Sequence, residues 1–243
     1  GEQVHNSGSI SAPGGQVGLA AARSVELVDT GLPNLAVRVQ VPAGEVLNLG
    51  RLVADGGRVD VHGAIVNQAG LVQANTLGLS ATGEVVLRAS DTLTLGPDSR
   101  TQAAAPAGAM AGRVTLDAGT LAQVDGQVLA TSAQGQGGDV LVQGSRVLLG
   151  HGAVLDASGG TAGGSVRVGG GFQGKDAAVR HADMVAVADG AVLQANATGQ
   201  GSGGLVVVWS DVATRFAGSA NARGGDQGGD GGLVEVSSKR SEE

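Results

Sequence analysis

The sequence contains no cysteine and no tyrosine, and its 243 residues include only two phenylalanines, one tryptophan and five prolines. Without cysteine there can be no disulfide staples and no thiolate metal sites. Fifteen Lys and Arg stand against 22 Asp and Glu, a net charge of −7, and the basic residues are scattered singly apart from Lys239-Arg240. The clustered positive footprint and stacking aromatics of a nucleic-acid binder are therefore missing. No apolar run approaches the ~18 residues of a membrane-spanning helix. The opening Gly1-Glu2-Gln3-Val4-His5 lacks the charged and apolar regions of a signal peptide. The chain reads as a soluble one, not inserted in a membrane, that starts downstream of any export signal.

What is abundant is glycine, 45 residues. Each glycine in a helix interior costs roughly 0.5–1 kcal/mol, which argues against a mostly helical protein. Gly and Pro together stay below the roughly 25–30 % of a disordered composition, and 42 % hydrophobic residues can supply a core. The chain is expected to be all-β.

A repeat sets the architecture. Gly112-Arg113-Val114-Thr115-Leu116, Gly138-Asp139-Val140-Leu141-Val142 and Gly164-Ser165-Val166-Arg167-Val168 recur at steps of 26 residues. The same frame appears at Gly57-Arg58-Val59, Gly83-Glu84-Val85, Gly204-Leu205-Val206 and Gly232-Leu233-Val234. The N-terminal part carries Asn6-x-Gly8-x-Ile10-x-Ala12-x-Gly14-Gly15, repeated as Asn48-x-Gly50-x-Leu52-x-Ala54-x-Gly56-Gly57, with a degenerate third copy read from Asn67. Each copy alternates apolar residues over a few positions and then meets turn residues, the pattern of short strands. The copy from 138 reads as three strands, near Val140–Val142, Val147–Leu149 and Val154–Ala157.

Three short strands per repeat suit a coil that climbs one strand spacing per turn, a right-handed parallel β-helix. At about 20–28 residues per coil, nine or ten coils make a single solenoid over 1–243, a rod about 40–50 Å long. Its first part, 1–80, has shorter Asn-containing coils. The 42-residue interval from Gly15 to Gly57 reads as one further coil with an excursion near 29–34, and 81–243 holds coils of about 26 residues with an external insertion at 169–183. Glycine serves corners that need positive φ or close packing between coils, and aromatics are scarce because the core is narrow. If Val206 and Val208 point inward, Leu205, Val207 and Trp209 form an outward apolar strip, and the insertion with Phe172 is expected to fold over it. Neither end carries a capping element, so the chain reads as a segment of a longer rod.

Candidate sites are few. Lys175, Asp176, Arg180, His181 and Asp183 cluster in the insertion, with Arg167 beneath, but no pair of carboxylates recurs at a spacing that would stack them for catalysis. The bland reading is a solvated loop. With Phe172, Trp209 and Phe216, the residues Lys175, Asp176, Arg180 and His181 make the candidate binding surface. His5, His62 and His151 read as surface or turn residues. Asn6 and Asn48 read as structural amides of corners. The Gly224–Gly232 stretch superficially resembles Ca²⁺-binding glycine-aspartate repeats, with Asp226 and Asp230 as ligands, but it occurs once, so no metal and no cofactor is expected. Asn196-Ala197-Thr198 is an isolated glycosylation-type tripeptide.

The run Gly163-Gly164-Ser165-Val166-Arg167-Val168-Gly169-Gly170-Gly171-Phe172-Gln173-Gly174-Lys175 resembles a signature of filamentous-haemagglutinin-type exoproteins of two-partner secretion. Gly190-Ala191-Val192-Leu193, Val207-Val208-Trp209-Ser210-Asp211, Thr214-Arg215-Phe216-Ala217-Gly218, Ala222-Arg223-Gly224-Gly225 and Gly229–Ser237 continue it in order. The Asn-x-Gly copies resemble the stretch that follows the secretion domain. There are departures: no Asn-Pro-Asn-Gly motif occurs, Gly171-Phe172 stands for Asp-Tyr, and Ser237-Ser238-Lys239 for Ser-Gly-Lys. The resemblance implies a bacterial exoprotein, exported unfolded through an outer-membrane β-barrel transporter that recognises regions outside this chain. It would fold outside the cell as a β-helical fibre carrying adhesive regions, with a host-cell glycan or protein as receptor. The expected function is a secreted surface adhesin or stalk segment without enzymatic activity. A β-helix polysaccharide lyase or hydrolase and a passive spacer are the alternatives.

Overall fold

The computed structural model describes residues 1–29, 35–39, 43–78, 82–106 and 108–239, and defines only the backbone of 25–29 and 35–39. The chain winds as a parallel β-helix. Every coil lays three short strands into three columns, each strand pairing in parallel with its equivalents in neighbouring coils. The first column holds Gln16–Ala20, the leading halves of Arg58–Gln68 and Glu84–Leu95, then Arg113–Ala118, Asp139–Gln143, Ser165–Val168, Leu205–Ser210 and Leu233–Ser238. The second runs from Gln3–Asn6 and Glu45–Asn48 to Met184–Val187 and Ala213–Phe216, and the third from Ser9–Ser11 to Ser219–Asn221. The repeat from 138 forms Asp139–Gln143, Arg146–Leu149 and Val154–Asp156, the three strands expected.

Among the described residues the third column contains eight strands, so they form eight coils where nine or ten were expected. The length of this rod is about 34 Å at ~4.8 Å per coil. The difference lies between Gly15 and Gly57. Gln16 pairs directly with Arg58, so this interval is a single coil and not two. The surplus includes Val25–Asp29 and Leu35–Val39, which pair antiparallel with each other outside the columns. Alternation at Leu35–Val41 marks a strand, described over Leu35–Val39, but period two says nothing about its partner. Residues 30–34, where the excursion was expected, lie outside the described residues.

Side chains stack by register. Val59, Val85, Val114, Val140, Val166 and Val206 form one buried file, and Val61, Leu87, Leu116, Val142, Val168 and Val208 another. The third column ends in a file of alanines, Ala54, Ala74, Ala103, Ala130, Ala157 and Ala195, all fully buried. After each the chain turns back toward the first column, and in most coils the amide of the glycine that opens the next first-column strand closes this loop on the alanine carbonyl. Gly138 donates to Ala130 O at 2.8 Å, Gly164 to Ala157 O at 2.8 Å and Gly204 to Ala195 O at 2.7 Å.

Those glycines form a column of their own. The carbonyls of Gly15, Gly57, Gly83, Gly112, Gly138, Gly164 and Gly204 each accept the amide that follows the equivalent glycine one coil on, at 2.9–3.1 Å. A Cβ at Gly57, Gly112, Gly138, Gly164, Gly204 or Gly232 would overlap the carbonyl oxygen of the glycine in the preceding coil. None of these has positive φ. Close approach of backbone to backbone is what requires glycine here.

In the N-terminal coils the second column carries a polar file within the core. Asn6 Nδ2 donates to Asn48 Oδ1 at 2.8 Å, and Asn48 Nδ2 to Gln68 Oε1 at 2.7 Å. Gln68 Nε2 ends the series on Gly70 O at 2.9 Å. All three amides are buried. From the fourth coil onward the same file is apolar: Leu95, Val124, Leu149, Val187 and Phe216.

Candidate functional site

The corner between the first and second columns takes one or two residues in most coils. It is replaced by the antiparallel pair in the first coil and by residues 169–183 in the sixth. The second insertion doubles back over the outer face of the first column as a strap. Gly169 enters it with φ 73°, and Phe172–Gly174 forms a single 3₁₀ turn. Trp209, on an outward strand position, is only 4 % exposed beneath it, and Val207 is fully buried. The glycines of the strap make this fit. A Cβ at Gly170 would lie 2.5 Å from the indole Cδ1, and one at Gly174 2.5 Å from Cζ2.

The strap is tied down along its whole length. Arg167 Nη1 pairs with Asp176 at 3.1 Å on the coil from which the strap departs. His181 Nδ1 lies 3.0 Å from Asp211 Oδ1, which also accepts from Trp209 Nε1 at 3.3 Å, and the His181 and Trp209 rings stand 6.0 Å apart. Arg180 reaches back two coils to Asp117 at 2.9 Å and to the Ala118 carbonyl. Gln173, the one non-glycine residue at positive φ (55°) among the described residues, donates its amide forward two coils to Glu235 Oε2 at 2.9 Å.

The sequence-derived residues are thus brought to one region but given different surroundings. Asp176 and Arg180 are engaged in ion pairs to the coils below the strap, and His181 in a hydrogen bond to Asp211. Lys175 is exposed, with Nζ 2.6 Å from Gln173 Oε1. Asp183 is exposed at the strap's exit. The three aromatics do not form one surface. Trp209 is covered, and Phe216 stacks on Val187 and packs against the core. Phe172 is 40 % exposed, so the covering of the strip comes from glycine backbone rather than from its ring.

Other candidates fall elsewhere. Asp226 and Asp230 are exposed in the turn bridged by Gly225 and Gly228. Among the described residues no group of three or more His, Asp or Glu side chains is placed to hold a metal ion. Asn196 is 4 % exposed; its Oδ1 accepts from Arg223 N at 2.8 Å and its Nδ2 donates to Gln194 at 3.2 Å, so the folded chain keeps this amide inside. His62 is buried rather than at the surface, 3.8 Å from Asp60. Arg58 donates to Asp60 at 2.6 Å. Burial alone would raise the Asp60 carboxyl, but attraction to His62 and Arg58 outweighs it and holds the group below its ordinary value.

A groove of about 480 Å³ follows the glycine column, away from the strap. Its floor is glycine backbone. Along its rim the charged side chains satisfy one another across coils: Arg58 with Glu84, Arg113 with Asp139 at 3.2 Å, and Ser165 with Asp139 at 2.6 Å.

No protein-family model matches the sequence, and no curated protein matches it. The fold is similar to the solved HMW1 secretion domain from Haemophilus influenzae, with a TM-score of 0.64 and 24 % identity. The match covers 96 % of this chain and 61 % of that one. At that identity the similarity is one of fold. No helix among the described residues is long and apolar enough to cross a membrane.

Proposed function

We propose that this chain is a length of the extracellular shaft of a two-partner-secretion exoprotein, displayed at the bacterial surface as a structural and adhesive stalk without catalytic activity. The observation that carries the reading is where the family-like residues fall. The run 163–175 supplies one first-column strand, Ser165–Val168, and the first half of the strap, and the following blocks, from Val207 to Ser237, supply the strip and strand that it covers. Such a sequence signature is accounted for as a clamp on a rod. The HMW1 likeness supports export through an outer-membrane transporter. The resemblance of the Asn-x-Gly copies to the stretch that follows the secretion domain supports a position beyond that domain. The pairing of outer charges along the coils supports a non-enzymatic surface, since it leaves few groups free to converge on a substrate.

Two assays test this. Purified chain applied to host cells and to a glycan array is expected to bind saturably, and silence across both favours a passive spacer. Incubation with acidic polysaccharides is expected to release no unsaturated or reducing ends; release that Asp176→Ala abolishes would overturn the reading.

A further inference from the structure

We propose that the strap is a staple that joins five consecutive coils into one cooperative unit and closes only when the last of them is in place. The inference does not depend on the secretion reading. Its basis is reach. Most contacts in a solenoid run between adjacent coils, so stability is a sum of local terms and coils can fray independently. The strap breaks this rule. It leaves after Val168, clasps Asp117 and Ala118 two coils behind, and clasps Glu235 two coils ahead. Between these it touches the intervening coils through Ser145, Arg167 and Asp211. The two clasped strands, Arg113–Ala118 and Leu233–Ser238, lie about 19 Å apart along the rod, four strand spacings.

The two clasps differ in when they can form. Coils laid down from the N-terminus place Asp117 and Arg167 before the strap itself exists, so the rear clasp can form at once. The forward half needs Trp209 and Glu235, which come 35 and 60 residues after Gly174–Lys175. Until then Gly170 and Gly174 have no indole to pack on. The forward clasp is also prepared from the other side: Ser237 Oγ holds the Glu235 carboxylate at 2.7 Å. Gln173 accepts a left-handed backbone conformation, costly for a non-glycine residue, at the point where its amide meets that carboxylate.

The test is hydrogen exchange on the full chain, read by peptide mass spectrometry, with Trp209 emission as an independent monitor of the strap. Gly170→Ala drives a methyl into the indole and lifts the strap without touching either clasped strand. The expected result is a red shift of Trp209 together with exchange in both Arg113–Ala118 and Leu233–Ser238 accelerated by about fivefold or more. A red shift with faster exchange confined to 169–183 and the strand of Trp209 would overturn the proposal. Glu235→Ala opens only the forward clasp and serves if the first variant misfolds. It is expected to accelerate exchange in Arg113–Ala118, whereas Val236→Ala, which weakens the same strand away from the strap, leaves Arg113–Ala118 unchanged. Equal effects of Glu235→Ala and Val236→Ala on Arg113–Ala118 would mean that coupling passes through the sheet, and the staple would be refuted.

Discussion

The first three coils and the last five solve the same problem with different materials. In the N-terminal coils one core file is a chain of amides, Asn6 to Asn48 to Gln68, every link a hydrogen bond of 2.7–2.8 Å. In the C-terminal coils that file is Leu, Val and Phe, and an external strap binds coil to coil. An amide file is directional: it is satisfied only in one register, because a slip of one residue would leave buried donors and acceptors unpaired. An apolar file contributes more burial but tolerates slippage better. The difference teaches that a β-helix needs its register specified, and that the specification can sit inside the core or be laid across the outside.

The largest expected effects test what the two regions share. Gly57→Ala and Gly138→Ala each push a methyl into the carbonyl of the coil before, and each should cost more than about 3 kcal/mol in thermal or denaturant unfolding. Tolerance of one but not the other would break the claim that the glycine column runs through both halves. Next comes the amide file. Asn48→Ala strands Asn6 and Gln68 and should cost about 2–4 kcal/mol. Replacing Asn6, Asn48 and Gln68 together by Leu, the solution used in the C-terminal half, should recover most of that loss while weakening register.

Acid provides a third comparison. Asp60 is held below the ordinary carboxyl value of 3.8, so its contribution is full above that value and is lost as pH falls through the lowered folded value. Acid unfolding monitored by circular dichroism should therefore begin at higher pH in the native chain than a pH-independent stability of the same neutral-pH size would give, and Asp60→Asn should flatten that low-pH dependence. The smallest effect is expected at the exposed pair Arg113–Asp139, where Arg113→Ala should change stability by less than about 1 kcal/mol.

Much of the fold was legible in the sequence because the repeat is nearly regular from Gly112 onward and its strands alternate cleanly. The strap over Trp209 was also legible, from an apolar strip that needed cover. What escaped did so for identifiable reasons. The antiparallel pair at 25–39 has strand-like alternation, which carries no information about pairing. The amide file was half visible: Asn6 and Asn48 read as corner amides, while its third member was misplaced by one residue at Asn67. Counting two back from Gly70, as Asn6 and Asn48 stand to Gly8 and Gly50, finds Gln68, an amide one methylene longer. The glycine column was read partly as a conformational requirement, because a close approach between coils cannot be seen along one chain. The clasps of Arg180 and Gln173 join residues 63 and 62 positions apart, and no local pattern announces them.

Native-state hydrogen exchange across a denaturant gradient, on the unmodified full chain, tests the contrast between the halves most directly. The account predicts two blocks, with strands from Arg113–Ala118 to Leu233–Ser238 opening together at one free energy and those from Gln3–Asn6 to Leu71–Gln73 at another. A single free energy for every strand, or a gradual decline from coil to coil through the strapped region, would contradict it.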